Sequence, residues 1–76
     1  MSAANEHFGA AVRRLRERQG WSQEALAGRA NLNRSYLGEV ERGVVAPSLQ
    51  TIEKLAAAFG VRASALLSEY ETPPAI

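Results

Sequence analysis

The sequence predicts an all-α protein, a compact bundle of five short helices. Three observations support this. Apolar residues recur at three- and four-residue spacing in each segment between Glu6 and Tyr70, as on helix faces. Helix stops stand at Gly20, Asn31, Gly43 and Gly60, and the first three are followed by a capping Ser or Asn. No segment alternates polar and apolar residues as a half-buried strand would, and there is no internal repeat or low-complexity tract.

Taken in order, residues 1–5 are small and polar and are expected to form a flexible N-terminus. The first helix is predicted from about Glu6 to Gln19, with Phe8, Ala11, Val12 and Leu15 inward and Arg13, Arg14, Arg16 and Arg18 on the other face. Ser22 is the predicted N-cap of the second helix, and Trp21 and Leu26 occupy the positions of a hydrophobic staple. Asn31 is where the chain must leave that helix, in the left-handed conformation that Asn and Gly tolerate. Asn33 caps the third helix, Leu32 and Leu37 repeat the staple, and Gly43 ends the helix. Ser48 caps a fourth helix, about Leu49 to Phe59, with Leu49, Ile52, Leu55, Ala56 and Phe59 inward. A short fifth helix spans about Ala63 to Tyr70 and carries Leu66, Leu67 and Tyr70. Two prolines at 73 and 74 forbid a helix through residues 71–76, expected to be a flexible tail. The predicted domain is therefore 6–70.

The second and third helices stand out. Leu26, Ala27, Ala30, Leu32, Leu37 and Val40 are spaced to face inward across a tight break, the helix-turn-helix pattern, with small Ala27 at the closest approach. With Leu37, Val40 and Glu41 turned in, Arg34, Ser35, Gly38 and Glu39 turn out. Arg34 in the first turn suits bidentate contact with guanine, Ser35 can reach a base or phosphate, and Glu39 can accept from cytosine or orient Arg34. With Asn33, these are the candidate base contacts. Gly38 would allow close approach to DNA, at roughly 1 kcal/mol of helix propensity.

Composition limits the alternatives. Seventy-six residues make one small domain, and no cysteine is present for disulfides or a thiolate metal site. No apolar run approaches membrane-spanning length and no signal-peptide order opens the chain, so a cytoplasmic protein without membrane contact is expected. The net charge is only +1, but residues 1–42 hold seven Arg against five Glu, whereas residues 43–76 hold Lys54 and Arg62 against three Glu. The positive end thus lies around the helix-turn-helix. With His7 the sole histidine and no carboxylate cluster, no enzyme, metal or cofactor is expected.

The run Leu32-Asn33-Arg34-Ser35-Tyr36-Leu37-Gly38-Glu39-Val40-Glu41-Arg42-Gly43, with the flanking Trp-Ser-Gln-Glu and Pro-Ser-Leu, resembles the helix-turn-helix family of lambda-repressor-like and xenobiotic-response-element-type regulators. It is most similar to the controller proteins of restriction–modification systems. The resemblance covers about Phe8 to Leu67 and implies a lambda-repressor-like bundle acting as a homodimer on double-stranded DNA, with contact to RNA polymerase as a further implied role. It matches Arg16 and Glu41 to a structural ion pair between the first and third helices. It also implies backbone contacts from Gln23 and from the Tyr36 hydroxyl. Ser22 and Ser48 at helix N-termini, Arg42 and Gly43 at the following loop, and Arg13 and Arg14 on the first helix complete the candidate backbone set. The loop reads Val44-Val45-Ala46 where the family often has Lys or Arg, and Arg62 stands where it usually has a capping Ser or Asp. Leu66, Leu67 and Tyr70 are the candidate dimer interface, the alternative being that Leu66 and Leu67 complete the core, as at least one of them is expected to do. A phage-type or antitoxin-type repressor and a helix-turn-helix used only for protein contact are the alternatives. A protein-contact module would carry an apolar or acidic third-helix face, whereas here Arg34, Ser35 and Tyr36 favour DNA and Glu39 opposes it mildly.

Overall fold

The computed structural model describes residues 2–70; Met1 and the expected tail at 71–76 lie outside them. Five helices follow in order, α1 (Ala3–Arg18), α2 (Gln23–Ala30), α3 (Arg34–Arg42), α4 (Leu49–Phe59) and α5 (Ala63–Ser68), with no strand among the described residues. Among them, no helix is long and apolar enough to cross a membrane.

Each boundary has a local cause. Ser2, Ser22, Asn33 and Ser48 accept from the backbone N–H three residues on, at 3.0–3.1 Å. Such a cap contributes about 1 kcal/mol. Arg62 makes no side-chain cap, and α5 is the shortest helix. The ends of α2, α3 and α4 share one device. Leu32, Val44 and Val61 N–H return to the carbonyls of Ala27, Glu39 and Ala56, and the preceding residue takes the left-handed conformation. Asn31 does so at φ 54°, the only positive φ outside glycine among the described residues. With the left-handed residue's own N–H bonded back to the carbonyl of Gly28, Val40 or Ala57, this pair of hydrogen bonds satisfies carbonyls that would otherwise be orphaned and turns the chain sharply enough to pack consecutive helices together.

The core is one cluster. Phe8 and Val12 of α1, Leu26 of α2, Leu37 and Val40 of α3, Leu55 of α4 and Leu66 of α5 are all fully buried within it. Helix α1 lies on α3 at very short range. A Cβ on Gly9 would stand 2.6 Å from the Glu41 carbonyl oxygen and closer still to that of Val40, so only glycine permits this crossing. Trp21 stacks on Phe59 with centroids 5.9 Å apart, and the Arg29 guanidinium lies 4.4 Å over its ring. Trp21 is thus an anchor between α2 and α4.

Four expectations need correction here. Helix α1 starts at Ala3 rather than about Glu6, because Ser2 caps it and the Tyr70 hydroxyl donates to Asn5 Oδ1, holding the first turn to the far end of the domain. Helix α5 ends at Ser68 rather than Tyr70; Glu69 and Tyr70 N–H bond back three residues to Leu66 and Leu67, closing it in a tight turn. Leu49 is 69 % exposed rather than inward. The first turn of α4 docks through Thr51, about 200° around the helix from Leu49 at 3.6 residues per turn. Leu66 is 1 % exposed and belongs to the core, where it helps close the bundle under α5.

Glycine substitutions provide a paired test. Gly9→Ala should cost about 2–3 kcal/mol by overpacking and lower the thermal midpoint by roughly 10–20 °C. A methyl group on Gly28 would meet nothing within 4 Å, so Gly28→Ala should stabilise the domain by about 0.5–1 kcal/mol of helix propensity and raise the midpoint by roughly 2–8 °C. Calorimetry of both variants checks the α1–α3 crossing.

Candidate nucleic-acid interface

Helix α3 is held from both flanks. On one side, Glu41 turns towards α1 and α2 with only 3 % of its side chain exposed. Arg16 reaches it with two parallel bonds, Nε to Oε2 at 2.7 Å and Nη2 to Oε1 at 3.1 Å. The remaining Arg16 nitrogen donates to the Trp21 carbonyl at 2.9 Å, and Gln23 Nε2 donates to Glu41 Oε1 at 2.9 Å. One carboxylate therefore ties the end of α1, the start of α2 and the recognition segment α3. The hydrogen bond with Glu41 holds the Arg16 pKa above its ordinary value; burial opposes this, and the charges of Glu41 and Glu17 reinforce it.

On the other flank, Tyr36 leans towards α4. Its hydroxyl lies 3.1 Å from Thr51 Oγ1, and Thr51 in turn is 3.0 Å from Ser48 Oγ. Helix α3 thus sits between the N-terminal turns of α2 and α4, each opened by a serine cap. Helix N-termini carry unpaired N–H groups and the positive end of the helix dipole, so both flanks favour anions.

The face left between these flanks is polar. At about 100° per residue, Ser35 and Arg42 lie at its centre, with Arg34, Gly38 and Glu39 around them. Arg34, Ser35 and Arg42 are exposed and Glu39 is half-buried. Gly38 is a correction: it is buried, not an open approach point. Arg42 folds back one turn over it, with Nη1 3.3 Å from where a Cβ would stand, and Gln23 Oε1 lies 3.9 Å from the same point. Arg42 therefore belongs to the outward face of α3 as much as to the loop after it, and its four-residue spacing from Gly38 was the available signal.

The other expected residues divide clearly. Asn33 uses Oδ1 to cap α3, leaving its amide N–H groups for any contact. Ser22 and Ser48 both accept as caps, and Ser48 also donates inward to Thr51. Gln23 commits one N–H to Glu41. Gly43 is buried, with Glu6 Cα 2.6 Å from a Cβ position, so its part is to seat α1. Arg13 and Arg14 are exposed on α1, and Arg13 is engaged by Glu17 at 3.2 Å. Of the three interface candidates, Leu66 is core, and Tyr70 packs edge-on against Phe8 with centroids 5.7 Å apart. Leu67, 40 % exposed, is the one on the surface. Thr51 was absent from the expected set; its partner Tyr36 is 15 residues away, too far for any local pattern to signal. Among the described residues no group of three His, Asp or Glu is placed to hold a metal.

Two helices crossing at the left-handed Asn31 turn, with the second one's polar face exposed, define a helix-turn-helix domain. A profile for helix-turn-helix proteins matches residues 12–66, and the chain belongs to that family. It is 41 % identical over 61 residues to the immunity repressor protein of Bacillus phage phi105, covering 80 % of this chain and 42 % of that one. It is 43 % identical over 61 residues to the control protein C.BamHI of Bacillus amyloliquefaciens, covering 79 % and 75 %. Among solved structures, the restriction-modification controller protein C.AhdI of Aeromonas hydrophila superposes with a TM-score of 0.82 at 45 % identity, over 86 % of this chain and 98 % of that one. The chain thus spans less than half of the phage repressor it matches but nearly all of the controller structure.

Removing Arg16 would leave Glu41 buried without its cation, so Arg16→Ala should lose about 3–5 kcal/mol of stability. Arg34→Ala, on the exposed face, should stay within about 0.5 kcal/mol of the unsubstituted protein. Denaturant unfolding of the two variants checks this, and equal midpoints would overturn it. A raised Arg pKa means the stabilisation is complete below the ordinary arginine range and lost only as pH rises through the raised value. Mildly alkaline buffer should therefore not weaken Arg16's end of the pair.

Proposed function

We propose that the chain is a sequence-specific double-stranded DNA-binding regulator of transcription, of the restriction–modification controller type. The observation that supports this best is the outward face of α3. It carries Arg34, Ser35, Glu39 and Arg42 and no apolar side chain, and it stands between two serine-capped helix N-termini. A helix of this width enters a major groove, where base edges present a donor and acceptor pattern distinct for each pair. Arg34 and Arg42 supply bidentate donors, Ser35 and the Asn33 amide supply adaptable ones, and Glu39 supplies an acceptor for a cytosine amino group. The flanking N-termini at Ser22 and Ser48 then lie towards the two phosphate backbones that border the groove.

One recognition helix reads only a few base pairs, so a second copy is required for a specific site. Such dimers place their recognition helices about 34 Å apart on two-fold symmetric half-sites. The α5 surface supports this role. Leu67 and Val61 are 40 % and 39 % exposed, and a mostly apolar groove is lined by Leu15, Val61, Ala65, Leu66 and Glu69. The controller type is favoured because the run Asn33-Arg34-Ser35-Tyr36-Leu37 resembles that group and the controller structure superposes at a TM-score of 0.82 with 45 % identity.

Selection from a random duplex pool is the direct test. A two-fold symmetric site should be enriched, and Arg34→Ala should weaken binding to it by about 1–3 kcal/mol. Enrichment of no sequence, with weak binding that vanishes with salt, would leave only the nonspecific phosphate term and overturn the reading. Sedimentation should show a dimer at micromolar concentration that Leu67→Glu disrupts; a monomer unaffected by the substitution would overturn the dimer.

A further inference from the structure

Thr51 is a buried hydroxyl residue, 5 % exposed, and it stands behind α3 rather than on it. Two further hydroxyls flank its own. Ser48 Oγ lies 3.0 Å and Tyr36 Oη 3.1 Å from Thr51 Oγ1. Their direction follows from the proton count. Ser48 Oγ accepts the Thr51 backbone N–H at 3.0 Å as the α4 cap, and its own proton goes to Thr51 Oγ1. A hydroxyl holds one proton and two lone pairs. If Tyr36 also donated to Thr51 Oγ1, that oxygen would receive two protons and its own proton would be left without a partner in a buried site, which is costly. If Thr51 donates to Tyr36 instead, each internal donor is used. The Tyr36 proton is then the free end of the chain, on the flank of α3.

We propose that Thr51 is a positioning residue for DNA binding. By donating to the Tyr36 oxygen, it leaves the tyrosine hydroxyl proton pointing outward, to be given to a phosphodiester oxygen of the strand beside α4. This rests on the DNA-binding reading above. Ser48 is the head of the chain, Thr51 its relay and Tyr36 the hydroxyl that meets the nucleic acid. Consecutive hydroxyl bonds polarise one another, so the outward proton is a better donor than that of an isolated phenol. Tyr36 is half-buried, and its ring is held on the core, so the hydroxyl is presented with little freedom left to lose on binding.

The test uses three single variants of the full chain and the Thr51→Val/Tyr36→Phe double variant on the selected duplex, with thermal midpoints measured alongside. Thr51→Val keeps the side-chain shape and removes the hydroxyl, Thr51→Ser keeps the hydroxyl, and Tyr36→Phe removes the proposed contact. Tyr36→Phe should weaken binding about tenfold or more, as loss of a hydrogen bond to a charged oxygen does. Thr51→Val should weaken it about threefold to tenfold, Thr51→Ser should restore it to within about twofold, and Thr51→Val should add almost nothing to Tyr36→Phe. A purely structural Thr51 would instead weaken both backgrounds equally, and that result overturns the proposal. Binding unchanged in folded Thr51→Val, or in Tyr36→Phe, overturns it too. If Thr51→Val does not fold, Thr51→Ala takes its place in the same cycle. Loss of binding in Arg34→Ala, with Tyr36→Phe unaffected, would sink the relay while leaving the DNA-binding reading intact. If no duplex is bound specifically, both fail together.

Discussion

The arrangement depends on one carboxylate. Glu41 is on α3, yet both its oxygens are satisfied from elsewhere, by Arg16 of α1 and Gln23 of α2. Arg16 completes the knot by donating to the Trp21 carbonyl, in the turn that joins those two helices. The angle of α3 is thus set from its inner flank by charge-assisted bonds of fixed geometry, and the planar guanidinium leaves little choice of orientation. Apolar packing through Leu37 and Val40 holds α3 to the core, but packing alone tolerates rotation that a bidentate pair does not.

The opposite flank is held differently. There the contacts are neutral hydroxyls, Tyr36 to Thr51 to Ser48, and the Ser48 end doubles as the cap that starts α4. A charged knot on one side and a polar relay on the other leave the outward face of α3 free of structural duty, apart from Gly38 under Arg42. The exposed face can therefore differ in its side chains without disturbing the fold. This separation suits a protein whose scaffold is shared with relatives while the recognised site is its own.

The α1–α3 contact shows how little slack the domain has. At Gly9 and Gly43 the chain approaches its neighbour so closely that a single methyl would meet backbone. A domain of this size has few buried residues, and close approach extracts more contact from each of them. The same scarcity explains why α5, six residues long and without a capping side chain, still buries Leu66 completely and is followed by Tyr70 tied to the first turn of α1.

What the sequence determined by itself is local. Three caps three residues from their donors, at Ser22, Asn33 and Ser48, the left-handed exit at Asn31 and the glycine stops are bonds between residues close in the chain, so their partners can be read along it; the cap at Ser2 is as local but lies in a stretch read as flexible. The five helices, the helix-turn-helix and the outward placing of Arg34 and Ser35 followed from those bonds and from a period of 3.6 residues. Arg16 with Glu41 was legible only through resemblance, since 25 residues separate them. Only the tertiary structure decided which side of each helix a distant element would cover. Leu49 and Leu66 both carry the period of inward residues, yet docking through Thr51 left the first in solvent and the crossing of α5 buried the second. Gly38 carries the period of an outward residue, yet Arg42 closed over it. Coverage depends on how helices cross, and that is set by the sum of contacts between segments far apart in sequence, which no single segment contains.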